Sequence, residues 1–383
     1  MDLISPILII ASIVLFYLLI VQLINFFSLK KLGHFPSAEE YPLVSILVPA
    51  RNEERNIEKC VRSLLQQDYP NYEILVLDDE SEDRTWEILS NLARDNENLH
   101  ILKGKPLPED WIGKCWACHQ LSQEARGKYL LFVDADTEHK PSMLRSIIDA
   151  AQFYQADLVT GFPYEEVGSF SELLTIPLIN WGILAAIPLP LAFAVQHPAL
   201  SITVGQILLF ARDTYDQIGG HVAVKNHICE DMALGRLIKA KGFRWRLVDA
   251  GEVSSCRMYT NLEEVVNGLS KTIFGAINFR TSLILLFSLL LFLLFCFPIL
   301  VLLLSFIVPL ADVLVKKAVL VVLLSLLSWM LANIRFSLPW YTAFLYPLIS
   351  AISIFIFIRS MYLTSTGKAR WKGRFIANYH IRQ

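Results

Sequence analysis

Leu3 to Phe27 is an apolar run interrupted only by Ser5, Ser12, Gln22 and Asn25. A stretch of that length fits the hydrocarbon core of a bilayer, where the backbone must satisfy its own hydrogen bonds and is therefore helical. No Lys or Arg stands ahead of it, and it is longer than a signal-peptide core, so residues 1–29 are expected to be a retained anchor. Lys30 and Lys31 follow at once and place the next part of the chain in the cytoplasm.

The other end of the chain repeats the pattern. Residues 281–308, 318–334 and 338–358 are apolar, which accounts for the 54% hydrophobic content and the mean hydropathy of +0.45. A multi-pass protein of the cell membrane is expected, with its polar middle on the cytoplasmic side. The tail, 359–383, has Lys and Arg but no Asp or Glu and should also be cytoplasmic. Three full crossings after a cytoplasmic domain would leave it outside, so either one segment is re-entrant or interfacial, or the charge rule fails here. Leu173 to Val195 is apolar too, but Pro177, Pro188 and Pro190 argue for a piece on the membrane surface. Residues 253–280 include an amphipathic stretch, Leu262 to Phe279, that suits a helix lying in the interface.

Between these ends, residues 43–252 alternate strand and helix. Leu43–Val48, Glu73–Leu77, Leu99–Leu102 and Tyr129–Val133 read as strands. The first connecting helix is expected to begin at Asn52 as N-cap, with Glu53 and Glu54 in its first turn. Helices are also expected over Asp83–Ala93 and Lys114–Arg126. Such alternation predicts an α/β domain, a mainly parallel sheet with helices on both faces.

The strands end in polar, mostly acidic clusters: Arg51-Asn52-Glu53, Asp78-Asp79 and Asp134-Ala135-Asp136. A parallel sheet gathers those ends on one rim, where open α/β sheets bind ligands. Asp134 and Asp136 share a face in an extended chain, and two carboxylates so close call for a cation, with oxygen ligation suiting Mg²⁺ or Mn²⁺. Glu230-Asp231 opens a further amphipathic helix. It can act as dipole-stabilising charge or as a general base across the cleft.

Several function classes are excluded or weakened. A net charge of −2 offers no basic excess for nucleic acid, and the six scattered cysteines suggest reduced thiols. Neither G-x-G-x-x-G after the first strand nor G-x-x-x-x-G-K-[ST] occurs. Cys115-Trp116-Ala117-Cys118-His119 matches a haem-attachment pattern, but it falls inside an expected helix on the cytoplasmic side and reads as coincidence.

From Val44 to Gly251 the chain resembles family 2 glycosyltransferases of GT-A fold. The resemblance rests on Val48-Pro49-Ala50-Arg51-Asn52-Glu53, Leu77-Asp78-Asp79-Glu80-Ser81, Asp134-Ala135-Asp136 and Glu230-Asp231. Leu107-Pro108-Glu109-Asp110-Trp111-Ile112-Gly113-Lys114, the two apolar ends and Trp371-Lys372-Gly373-Arg374 are similar to membrane members that glycosylate carotenoid acids (the diaponeurosporenoate type), hopanoids or ceramide. Polysaccharide synthases of the family carry Q-x-x-R-W where this chain has Asn267-Gly268-Leu269-Ser270-Lys271.

The resemblance implies a nucleotide-sugar donor, a UDP-sugar in the first instance, and a membrane lipid acceptor. It implies that Pro49 is a substrate contact, that Ala50, Glu53 and Asp79 meet the base and ribose, that Lys114 approaches the diphosphate, and that Asp134 touches ribose and metal. Asp136 would be the main metal ligand, Asp231 the general base, and Glu230, Lys271, Trp371 and Arg374 further substrate contacts. An inverting lipid glycosyltransferase is the first expectation. A polysaccharide synthase of the same fold and a non-catalytic membrane scaffold are the alternatives.

Overall fold

The architecture comes from a computed structural model that describes residues 3–368 and, as backbone only, the short antiparallel pair Arg370–Trp371 with Arg374–Phe375. The side chains of Trp371 and Arg374 lie outside the described residues, as do residues 369, 372, 373 and 376–383 of the tail.

A long helix, α1 (Ile4–Ser28), leads into β1 (Val44–Ala50), α2 (Ile57–Leu65), β2 (Tyr72–Asp78), α3 (Thr85–Arg94), β3 (Leu99–Lys103), α4 (Gly113–Glu124) and β4 (Tyr129–Val133). There follow β5 (Thr137–His139), α5 (Met143–Tyr154), β6 (Leu158–Phe162), β7 (Tyr164–Glu165), then α6 (Phe170–Leu173), α7 (Ile176–Ala185) and α8 (Leu189–Ala194). The domain closes with β8 (Ile207–Ala211), α9 (Arg212–Gln217), α10 (Glu230–Ala240), β9 (Trp245–Asp249) and β10 (Ser254–Cys256). Helices α11 (Leu262–Ala276), α12 (Thr281–Leu291), α13 (Phe297–Ser305), α14 (Asp312–Arg335) and α15 (Tyr346–Ser365) complete the chain, with a π-turn joining α12 to α13.

The main sheet has the order β3-β2-β1-β4-β8-β6-β9, all parallel except β8, which runs against both neighbours. A small sheet, β5-β10-β7, stands beside its carboxyl rim. The central strands are buried on both faces, as near-continuous apolar runs require. One face is covered by α2, α3 and α5, whose Ile57, Cys60, Val61 and Leu64 form an i, i+3, i+4, i+7 stripe. The other is covered by α4, α9 and α10, joined there by Ile183, Leu184 and Leu189 of the apolar 173–195 segment.

That segment is therefore more enclosed than its composition suggests. Its prolines do not exclude helix: Pro177 and Pro190 sit in the first turns of α7 and α8, where a missing N–H costs nothing. The polar interruptions of the first apolar run have a matching purpose. Asn25 Nδ2 donates to the carbonyls of Leu184 and Ile187, both at 2.8 Å, and its Oδ1 accepts from Leu189 N at 2.7 Å. Gln22 Oε1 accepts from Ser328 Oγ at 2.8 Å, and Ser328 Oγ accepts from Trp181 Nε1 at 2.9 Å. Between apolar helices, such bonds supply the association that hydrophobicity alone does not.

Four helical spans among the described residues are long and apolar enough to cross a membrane: Ile4–Ser28, Thr281–Ser305, Asp312–Arg335 and Trp340–Ser365. The last continues past the end expected at Ile358. The α14 span is locked to the α/β domain by a buried pair. Arg335 bonds the Asp249 carboxylate at the end of β9, and its remaining nitrogens donate to Phe26 O (3.3 Å) and Leu29 O (2.7 Å).

Candidate active site

Helix α2 begins at Ile57, so Asn52 is not its N-cap. Asn52 adopts φ +51°, a left-handed conformation that Asn tolerates better than most residues. The reason lies in the loop after β2. Asn52 N donates to Ser81 Oγ (2.9 Å), and Asn52 Oδ1 accepts from Glu82 N (2.8 Å). Glu53 N donates to Thr85 Oγ1 (2.8 Å), and Glu54 N to Asp83 Oδ2 (3.0 Å). Buried Arg51 donates to the carbonyls of Asp79 and Glu80, while Asp79 N donates to Ala50 O at 2.8 Å. The two loops are thus one hydrogen-bonded mesh, which holds Pro49, Ala50, Glu53 and Asp79 on a single rim.

Asp134 follows β4 in a turn whose carbonyl accepts from Thr137 Oγ1 (2.6 Å), Thr137 N (3.2 Å) and Cys60 Sγ (3.7 Å). Lys114, in the first turn of α4, bridges Asp134 Oδ1 at 2.7 Å and Glu230 Oε1 at 2.9 Å. One cation therefore joins the carboxyl end of β4 to the start of α10. Burial works against the charge of Lys114, but Asp134 and Glu230 outweigh it and hold its pKa well above the ordinary lysine value. Asp231 is half-buried beside this pair. Burial first, then the Glu230 carboxylate, raises it to about 7 against the opposing effect of Lys114. A group so placed can accept a proton near neutral pH.

Gly205 closes the site from the loop before β8. A methyl group there would lie 3.3 Å from Asp231 Oδ2 and 3.4 Å from Lys114 Nζ. Gly205→Ala should therefore push one of these groups aside and lower turnover by up to about 10²-fold, the scale of a small misplacement of reacting groups. Thermal unfolding should barely move. Unchanged kcat in the folded variant would show that the site has room to spare.

Asp136, half-buried, lies close enough to the small sheet for its charge to act on Cys256 of β10 and Glu165 of β7. Burial, then the charges of Asp136 and Glu165, push the Tyr259 hydroxyl above its ordinary pKa. The Tyr259 ring in turn lies against α11, so closely that a methyl at Gly268 would sit 2.3 Å from its Cε1. At the other end of α11, Cys229 Sγ bonds Thr272 O at 3.3 Å, and Arg236 donates to Ala276 O and to Asn278 Oδ1. This helix consequently roofs the rim from the Asp136 side to the Glu230-Asp231 side. It carries Lys271, half-buried, on its third turn.

For a metal, the donor set fits Mg²⁺ or Mn²⁺: two neighbouring aspartates, all oxygen. Among the described residues no group of three or more His, Cys, Asp or Glu is placed to hold an ion alone. An ion that takes one or two carboxylates and completes its shell with phosphate oxygens and water suits that arrangement. The haem-like pattern is disposed of by burial. Cys115 and Cys118 are 1% and 2% exposed inside α4, and burial drives both thiols far above the ordinary pKa. His119 instead stacks on Trp111, ring centroids 5.1 Å apart.

Residues 45–219 match the family described as Glycosyl transferase family 2. The 4,4'-diaponeurosporenoate glycosyltransferase of Staphylococcus haemolyticus is 27% identical over 238 residues, 60% of each chain. The beta-monoglucosyldiacylglycerol synthase of Trichormus variabilis is 36% identical over 113 residues, 29% of this chain and 24% of that one. The match thus spans about 60% of the first relative's length and about a quarter of the second's. A mannosyltransferase from Pyrobaculum calidifontis, solved with GDP-Man and Mn²⁺, superposes with a TM-score of 0.54 at 16% identity. That overlap covers 94% of this chain and 98% of the other, and it shows the same fold. With its GT-A sheet and its converging carboxylates, the segment 45–219 is a domain that matches glycosyl transferase family 2.

Proposed function

We propose that the chain transfers a sugar from a nucleotide-sugar donor, a UDP-sugar in the first instance, to a lipid acceptor at a membrane surface, with inversion at the anomeric carbon. The observation that carries this reading is the position of α11. One flank of it lies on the segment bearing Glu230 and Asp231. The other is held by α15, where Ser360 Oγ accepts from Phe274 N at 3.1 Å. An acceptor that cannot leave the bilayer cheaply needs a site in contact with the membrane helices. One relative is named for glycosylating 4,4'-diaponeurosporenoate and another for making monoglucosyldiacylglycerol, which supports the same class.

In this reading Pro49, Ala50, Glu53 and Asp79 hold the base and ribose in the mesh described above. Lys114 and Lys271 face the diphosphate, and Lys114 also keeps Asp134 and Glu230 in place. Asp134 and Asp136 would hold Mg²⁺ or Mn²⁺, which offsets negative charge on the nucleoside diphosphate as it departs. Asp231 takes the proton from the acceptor hydroxyl as that oxygen attacks the sugar. A carboxylic acid acceptor is already ionised at pH 7 and needs the base less. The domain and the basic tail are assigned to the cytoplasmic face, on the strength of Lys30 and Lys31 and of the tail's charge.

The test is comparative lipid mass spectrometry on membranes from cells with and without the chain. A lipid that gains one hexose only when the chain is present is the expected result. A water-soluble polymer or oligosaccharide as the sole new product would overturn the lipid assignment.

A further inference from the structure

The three C-terminal helical spans do not simply alternate across a membrane. The α12–α13 span starts at the α/β domain, beside Asn278, which Arg236 of α10 holds. The α14 span returns there, because Arg335 at its end bonds Asp249. Helix α15 then runs antiparallel to α12. Its Phe357 and Met361 pack with Ile284 near the start of α12, whereas Tyr346 meets Phe295 and Trp329 deep within the bundle.

The far end of α15 is docked on α11. Arg359 Nη2 donates to Asn267 Oδ1 at 2.8 Å, and Arg359 Nη1 to Val266 O at 3.4 Å. Both α14 and α15 thus finish on the domain side. From Tyr346 to Arg359 the helix rises about 20 Å, short of the roughly 30 Å of a hydrocarbon core.

We infer that residues 336–365 form a re-entrant hairpin in the leaflet facing the α/β domain, so that the chain crosses three times and its basic tail emerges on the domain side. This rests on reading α1, α12–α13 and α14 as spans. Non-helical backbone at membrane depth survives only where protein satisfies it. Here Leu338 N donates to Asn333 O (2.8 Å), Thr342 N to Pro339 O (3.0 Å), and Asn333 Nδ2 to Thr342 Oγ1 (2.9 Å).

The partner of the hairpin's outer face is the lipid headgroup layer. Trp340, Tyr341 and Phe344 are 53%, 59% and 60% exposed, Trp340 packs on both of the others, and Trp and Tyr are the amphipathic rings that settle at a membrane–water interface. The charges agree. The tail 359–383 carries six Lys/Arg and no acid, and the connection 306–311 carries no Lys or Arg. Of the lysines that follow in α14, Lys317 is bonded to Ser5 Oγ at 2.6 Å.

Single added cysteines in the full chain, labelled with a membrane-impermeant maleimide in sealed vesicles of known orientation, test this. The unmodified chain, whose six cysteines are buried or half-buried, serves as the blank. Thr366→Cys is expected to label from the same side as exposed Glu97→Cys, and Ile307→Cys from the opposite side. Labelling of Thr366→Cys together with Ile307→Cys, opposite Glu97→Cys, overturns the hairpin and makes α15 a fourth crossing. Labelling of Ile307→Cys together with Glu97→Cys overturns the spans themselves, and the hairpin with them.

Discussion

Asp231→Asn should lower transfer to a hydroxyl acceptor by roughly 10²- to 10⁴-fold, the size expected when a general base is removed. The substitution keeps the shape of the side chain, including the oxygen that accepts from Met232 N at 2.7 Å, so α10 should start as before. Donor affinity should change little, because Lys114 is held by Asp134 and Glu230 and not by Asp231. The pH profile supplies a second readout. The carboxyl is raised to about 7 by burial and by Glu230, so wild-type transfer should fall as pH drops through that value and the base takes up its proton. That acid limb should vanish in the variant. Full turnover in Asp231→Asn with a hydroxyl acceptor would reduce the residue to a helix-start charge.

Asp136→Ala should abolish turnover and remove the gain in nucleoside diphosphate affinity that Mn²⁺ confers. Isothermal titration of UDP with and without Mn²⁺ separates the two effects without relying on activity. Lys114 and the mesh around Asn52 remain in the variant, so metal-independent binding should persist at its basal level. A variant that still gains affinity from Mn²⁺ like the wild type would move the ion away from this turn.

Much of this site is legible as residue type and strand position. Asp79, Asp134 and Asp231 are each identifiable because acidic residues at the ends of apolar strands, or at a helix start, are local patterns. What Lys114 does is not local. Its two partners lie 20 and 116 positions further along the chain, and only the packing of α4 between β4 and α10 makes one ammonium group serve both. Asn52 shows the opposite error. It has the chemistry of an N-cap, but Ser81 and Glu82 compete for its backbone and side chain, and the helix starts later. Arg51 is legible as part of a polar cluster at a strand end, but not its burial or its bond to the Glu80 carbonyl, which ties the ends of β1 and β2 together.

The long apolar helices divide the same way. Length and apolarity determined that Ile4–Ser28 and the three C-terminal spans are helices, because a backbone without water has few other ways to satisfy itself. Alternating apolar runs likewise determined an α/β sheet with its acidic ends on one rim. Direction and partnership were decided by tertiary structure alone. The sequence allows a fourth crossing at Trp340–Ser365, and only Arg335 on Asp249 and Arg359 on α11 bring both ends of that segment to one face. The roof that α11 makes over the site depends equally on Tyr259 filling the space left by Gly268. Periodicity specifies which face of an element avoids water, but it carries no record of which distant residue will be found there.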